Sequence, residues 1–236
     1  MEAFKAWVQQ LQFGGVLDTA IVVLASLLCI TFHETSHGFV AWKLGDPTAK
    51  EAGRLSLNPL RHVDIFGLIM MAVFHFGWAK PVPVNMARLR HPRRDMALVS
   101  AAGPAANLVM ALVAMLLRAV AYFIGYRTGS LMASTTGVLY YVISFLNYVA
   151  VLSVGLAVFN LIPVPPLDGS KVLLALLPER VSRVVLRYER FGMILLFAVL
   201  WLGWLDTPLT AARSWVLNGM STITWPLFEL LARLCS

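Results

Sequence analysis

The sequence predicts an all-α polytopic membrane protein with about five to six hydrophobic segments and a short β-hairpin or re-entrant element after the first of them. Two observations carry that expectation. Of the 236 residues, 59% are hydrophobic and only 13% are charged, and the mean hydropathy is +0.75. An ordinary soluble domain is about half apolar and about a quarter charged. The charged residues are also gathered between long apolar runs, several of which reach the ~20 residues a helix needs to cross a bilayer. A net charge of +7 and a pI near 9.8 would suit a nucleic-acid binder. Basic residues confined to the flanks of apolar runs follow instead from positive-inside topology, so no nucleic-acid partner is expected. Cys29, inside an apolar run, and Cys235, beside the C-terminus, predict no disulfide.

Residues 3–12 place Phe4, Trp7, Val8 and Leu11 on one side of a short interfacial amphipathic helix. No small-residue cleavage site follows a compact apolar core, so this stretch is not read as a cleaved signal peptide. Residues 16–44 form the first span, with Trp42 and Lys43 as interface anchors. Residues 45–62 are polar and rich in turn formers, and alternate through Arg54-Leu55-Ser56-Leu57, which predicts a short strand or hairpin. Residues 63–79 are apolar but short and broken by Gly67 and Gly77. Lys50, Arg54 and Arg61 precede them and Lys80, Arg88, Arg90, Arg93 and Arg94 follow, so both flanks belong on one side and the stretch reads as re-entrant. Pro81 and Pro83 then impose an extended backbone on residues 80–85.

The second span is residues 96–117, where Gly103-Pro104-Ala105-Ala106-Asn107 offers small residues for the close approach of another helix and a proline to kink it. A third span fits residues 136–162 and runs into Asn160-Leu161-Ile162-Pro163-Val164-Pro165-Pro166-Leu167-Asp168-Gly169. Residues 171–190 are basic again. A shorter hydrophobic segment covers 191–205, and a last one, broken by Pro226, covers 214–233. The chain reads as a single membrane domain, 1–236, with its core at about 16–175. Charge placement runs the first span inward, the second outward and the third inward, which brings the ends of the first and third to the cytoplasmic side.

Near the inner end of the first span stands His33-Glu34-Thr35-Ser36-His37. In a helix, His33 and His37 share a face one turn apart, and two imidazoles so placed can take two corners of a tetrahedral zinc. Glu34, beside the first histidine, is placed to act as general base toward the water such a metal carries. A third ligand is needed from a His, Glu, Asp or Cys at similar depth, and Asp168 is the best candidate. Pro163, Pro165 and Pro166 end the preceding helix and force an extended backbone, while Gly169 permits an unusual dihedral that would aim the carboxylate. Asn160, a neutral donor at a helix end, could hold a substrate carbonyl or the oxyanion that develops from it.

His33-Glu34-Thr35-Ser36-His37, the Gly103–Asn107 run and the Asn160–Gly169 run, in this order and each on its own apolar segment, resemble the site-2 protease family of intramembrane zinc metalloproteases (peptidase family M50). The resemblance extends through the stretches at 52–67 and 76–85, and so covers roughly residues 20–175. It implies that His33, His37 and Asp168 bind one zinc, that Glu34 is the general base, and that Asn160 matches the family's asparagine upstream of Leu-Asp-Gly. It further implies cleavage of the transmembrane helices of other membrane proteins. The protein is expected in a prokaryotic cell membrane, and charge placement puts the active site toward the cytoplasm. Some relatives carry a PDZ or CBS domain, for which this chain has no room.

Plainer readings stand beside these. The His33/Glu34/His37 group could line a transporter cavity, but three ionisable groups within five residues of a membrane helix are too costly to be idle. Asp168 could cap the helix starting at Gly169, a role compatible with ligation. Asn107 reads as a helix–helix contact, His75 and Asp64 as polar or interfacial residues, and Cys29, one turn before His33, as packing. The segment Pro81, Val82, Pro83, Val84 and Asn85 is either a plain connector or an extended edge able to hold an unwound substrate by strand addition. Three functions follow: an intramembrane zinc endopeptidase, an inactive relative that binds membrane proteins, and a metal transporter.

Overall fold

A computed structural model describes residues 16–64, 80–129 and 137–234. In order, it contains α1 (Val16–Lys43), α2 (Thr48–Glu51), 3₁₀ turns at Pro59–Arg61 and Met86–Arg88, α3 (Pro92–Thr128), α4 (Val138–Asn160), α5 (Asp168–Leu176), α6 (Glu179–Trp201) and α7 (Asp206–Leu234). The protein is helical, as its composition requires. The expected five to six segments resolve, among the described residues, into three helices long and apolar enough to cross a membrane, α1, α3 and α4. A fourth is added if Phe191–Trp201 and Asp206–Leu230, bent at the break between them, count as one span. Helix α3 outruns the uncharged stretch 96–117 at both ends. Its start is fixed by Asp95, whose Oδ2 accepts from the His91 N–H at 2.8 Å while its own N–H reaches the His91 carbonyl at 2.8 Å. Pro226 does not break α7; the Ser221 and Thr222 hydroxyls bond back to the carbonyls of Asn218 and Gly219 in the turn before it.

The hairpin expected over 45–62 is not formed: no residue there is in a strand. The alternating leucines do not share a buried face, since Leu57 is 60% exposed. The backbone groups a ladder would use are taken by side chains instead. Asp46 accepts from the Thr48 N–H at 3.0 Å just ahead of α2, and Asn58 accepts from the Leu60 N–H at 3.1 Å and starts a 3₁₀ turn with Pro59 in its first position. Thr35 on α1 donates to the Ser56 carbonyl at 2.9 Å. The amphipathic helix read at 3–12, and the re-entrant element from residue 65 to 79, lie outside the described residues.

The described residues divide into two compact units. In the first (16–29, 107–129, 137–158 and 199–234), Ala25 and Cys29 of α1, Ala114 and Met115 of α3, and Val149 and Ala150 of α4 form a buried core. Leu217 and Met220 of α7 pack against it. Small side chains at the contact let the backbones close on one another, which is how helices associate where no water is expelled. Cys29 belongs to this packing, with its Sγ 3.1 Å from Ser153 Oγ. Arg118 of α3 donates to Asn147 Oδ1 of α4, so its charge is not left bare in an apolar helix. Large apolar side chains such as Leu24, Val109, Leu117 and Trp215 point outward and are exposed, as lipid-facing residues must be. The second unit (30–64, 80–106 and 159–198) holds every charged or polar residue of interest below.

Candidate metal centre

Helix α1 brings His33 and His37 together one turn apart, 4% and 8% exposed, with ring centroids 4.6 Å apart and nearly perpendicular. Asp168, the first residue of α5, completes the group. Its Oδ2 lies 3.1 Å from His33 Nε2 and 3.2 Å from His37 Nε2. The His37 Nδ1 lies 2.7 Å from the Val99 carbonyl, and only a protonated Nδ1 can donate there. That contact leaves the Nε2 lone pair facing the carboxylate, the arrangement in which a ligating histidine is held.

Zinc fits these donors. The three residues form the one group of metal-ligating side chains among the described residues, with their ligand atoms within 4.8 Å of one another. Two donors each ~2.0–2.1 Å from a tetrahedral zinc stand roughly 3.3 Å apart, close to the separations seen. Two imidazoles and one carboxylate leave a fourth position open, as catalytic zinc sites do. The space beside the rings is kept by Gly103 of α3: a Cβ there would sit 2.5 Å from His37 Nε2 and 2.6 Å from His33 Cε1.

How Asp168 is aimed differs from the expectation. The backbone after Asn160 turns through Ile162 N–H to the Phe159 carbonyl (3.2 Å) and Leu167 N–H to the Val164 carbonyl (3.0 Å), then enters α5 directly. Gly169 is helical and is not among the glycines of positive φ. What it supplies is closeness, because a Cβ there would overlap the Leu161 carbonyl. Asp168 is therefore aimed by the start of a helix pressed onto the preceding turn. The other end of α5 is tied by Arg93, whose Nη2 donates to the Leu174 carbonyl at 3.0 Å, a cation at a helix C-terminus.

Glu34 is half-buried, and its Oε2 accepts from the Val82 N–H at 2.9 Å. The segment 80–85 is thus not a free connector; it touches the residue beside the first histidine. Pro81, Pro83 and Asn85 are exposed, Val82 is buried against Gly38, and Val84 is half-buried. The Asn85 N–H is held by Asp46 at 2.6 Å. Asn160 closes α4, half-buried, and is not part of the three-residue group. His75 lies outside the described residues. Reading the sequence missed the Val99 carbonyl, which no side-chain pattern announces. It saw the small residues at Gly103 as room for a helix, whereas the room serves two imidazoles. It counted Arg54 as topology charge only; burial of an arginine inside a polar loop has no sequence signature.

The model of peptidase family M50 matches residues 19–203. A protein of Bacillus subtilis (strain 168) named "Putative zinc metalloprotease YwhC" is 38% identical over 211 residues, covering 87% of this chain and 93% of that one. Two mycobacterial proteins named "Putative zinc metalloprotease Rip2" are also similar. That of Mycobacterium tuberculosis (strain ATCC 25618 / H37Rv) is 31% identical over 81% of this chain and 70% of its own. That of Mycolicibacterium smegmatis (strain ATCC 700084 / mc(2)155) is 28% identical over 82% and 70%. No solved structure matches the chain. With two buried histidines and a half-buried aspartate forming a donor set suited to zinc, and a family match over most of its length, the chain belongs to peptidase family M50 and is a membrane zinc metallopeptidase.

Proposed function

We propose that the protein is an intramembrane endopeptidase that cuts the transmembrane segments of other membrane proteins, with its active site toward the cytoplasmic side. The observation that carries this reading is the burial of His33 and His37 on a helix of membrane-spanning character, with the half-buried Asp168 and Glu34 beside them. A water-soluble substrate has little reason to seek a site held by such helices. Zinc held by His33, His37 and Asp168 supplies Lewis acidity and makes a water nucleophilic near neutral pH.

The remaining chemistry belongs to the chain. The Val82 N–H occupies Glu34 Oε2, so Oε1 is the oxygen left to take a proton from the attacking water and to pass it to the leaving amine. Asn160 is assigned as a donor toward the substrate carbonyl, where preorganised dipoles stabilise developing charge. A transmembrane helix hides its carbonyls in its own hydrogen bonds, so the substrate must unwind before attack. The extended segment 81–85, in contact with Glu34, is suited to holding the unwound strand. Partners are therefore membrane proteins with a transmembrane helix, presented within the lipid bilayer.

The test compares wild type and Glu34→Gln on single-span membrane substrates, with fragments identified by mass spectrometry. Glu34→Gln is expected to lose cleavage while keeping one zinc per chain and wild-type helicity. Full cleavage by that variant overturns the reading.

A further inference from the structure

Arg54 is a buried cation with an unusual set of partners. It is 9% exposed, yet among the described residues its guanidinium donates only to main-chain carbonyls: Arg61 through Nη1, Lys80 through Nη2, and Pro81 through Nη2 at 3.4 Å. Its Nε is buried without a partner, and no carboxylate pairs with it among the described residues. Leaving a buried charge without an opposite charge is costly, and neutral carbonyls compensate only in part. The nearest relief runs through one peptide group. The Pro81 carbonyl that Arg54 reaches and the Val82 N–H that Glu34 accepts belong to the same planar unit. That unit is not cis, so its C=O and N–H point in opposite directions, with the cation at one end and the carboxylate at the other. A hydrogen bond at one end of a peptide polarises the group and strengthens the bond at the other.

We propose that Arg54 is a positioning residue for Glu34, acting through the Pro81–Val82 peptide. By gripping Arg61 on one side and Lys80 and Pro81 on the other, Arg54 ties these residues to one another. The Lys80 N–H adds a bond to the His62 carbonyl at 2.9 Å. With Lys80 and Pro81 fixed, the Val82 N–H has one direction to point, and Glu34 is held by Oε2 with Oε1 left for proton transfer. Lysine could keep the charge but not the fork that reaches both Arg61 and the Lys80–Pro81 carbonyls.

The inference rests on Glu34 being the base, and its test separates the two. Wild type, Glu34→Gln, Arg54→Lys and Arg54→Gln are purified as full chains in detergent. Each is assayed for zinc content, thermal unfolding, kcat and KM on one single-span transmembrane test protein that wild type cleaves. The expected result is an order of kcat per bound zinc of Arg > Lys > Gln, falling about 10- to 100-fold to Gln, the usual cost of losing a group that orients an active-site residue. KM and zinc stoichiometry stay at wild-type values. Unchanged kcat in Arg54→Gln overturns the proposal. So does a fall in activity that only tracks lost zinc or lost folded protein in both Arg54 variants, because that assigns Arg54 to the fold alone. Cleavage by Glu34→Gln removes the base itself, and the proposal with it, whatever Arg54 does.

Discussion

Replacing Gly103 by alanine is the sharpest probe of the metal centre, because two effects of opposite sign meet there. Gly103 lies inside α3, where Gly→Ala is ordinarily stabilising by about 0.5–1 kcal/mol through backbone entropy. Against that, the new Cβ would stand 2.5 Å from His37 Nε2 and 2.6 Å from His33 Cε1. Ordinary carbon contacts lie at about 3.5–4.0 Å, so each ring must give by ~1 Å. The rings are side-chain ends, and the protein can yield by moving them. His37 cannot move far without losing its 2.7 Å contact to the Val99 carbonyl and its place beside Asp168. A displacement of ~1 Å is half of the ~2.0–2.1 Å ligand bond itself, enough to forfeit the site. The fold should therefore survive while zinc does not. Gly103→Ala is expected to keep wild-type helicity by circular dichroism and to unfold within about 2 kcal/mol of wild type, the middle of the overpacking range. It should hold well under one zinc per chain by elemental mass spectrometry, with cleavage reduced about 100-fold or more, as a 1 Å misplacement does elsewhere. One zinc per chain with full activity in this variant would refute the view that Gly103 keeps space for the imidazoles.

Two further perturbations test other supports. Gly169→Ala drives a methyl into the Leu161 carbonyl and should displace the start of α5, lowering zinc affinity while His33 and His37 stay in place; isothermal titration with zinc reads this, and unchanged affinity counts against the packing account. Asp46, fully buried, is pushed up by burial but held below the ordinary carboxylate range by its bonds from Thr48 and Asn85 and by Arg88, so its stabilisation is present above the unfolded value of about 3.9 and is lost as pH falls toward the folded one. Asp46→Asn should accordingly lower Tm at pH 7, and its difference from wild type should shrink as pH falls below the unfolded value; a Tm difference that does not shrink with acid contradicts the assignment.

What was legible in the sequence was what periodicity and composition report. The spans at α1, α3 and α4 are long, apolar and bounded by charge, so nothing competes with a helical reading. His33 and His37 are four apart on one of them, which fixes their common face without tertiary information. The hairpin failed because alternation is a statement about side chains, whereas residues 45–62 are organised by main-chain groups finding polar side chains. Asp46, Asn58 and Arg54 take those groups before a strand partner can. Asp168 was found for partly wrong reasons. The prolines do end α4, but the carboxylate is aimed by the first turn of α5, and Gly169 matters for the atom it lacks rather than for its dihedral freedom.

Residues 80–85 are held beside Glu34 for a reason that joins these observations. Extended backbone next to helices of membrane character must have its polar groups satisfied without a sheet and with little water. Pro81 and Pro83 remove two N–H groups that would otherwise need acceptors. Those of Lys80, Val82 and Asn85 are met by the His62 carbonyl, Glu34 and Asp46, and the carbonyls of Lys80 and Pro81 are met by Arg54. Each of these partners lies in the same unit as the metal ligands. The segment's main-chain groups are therefore satisfied although it joins no sheet. Under the proposed function, a segment held in this way meets an unwound substrate with part of its ordering entropy already spent, and preorganisation of that kind is where binding energy is otherwise spent.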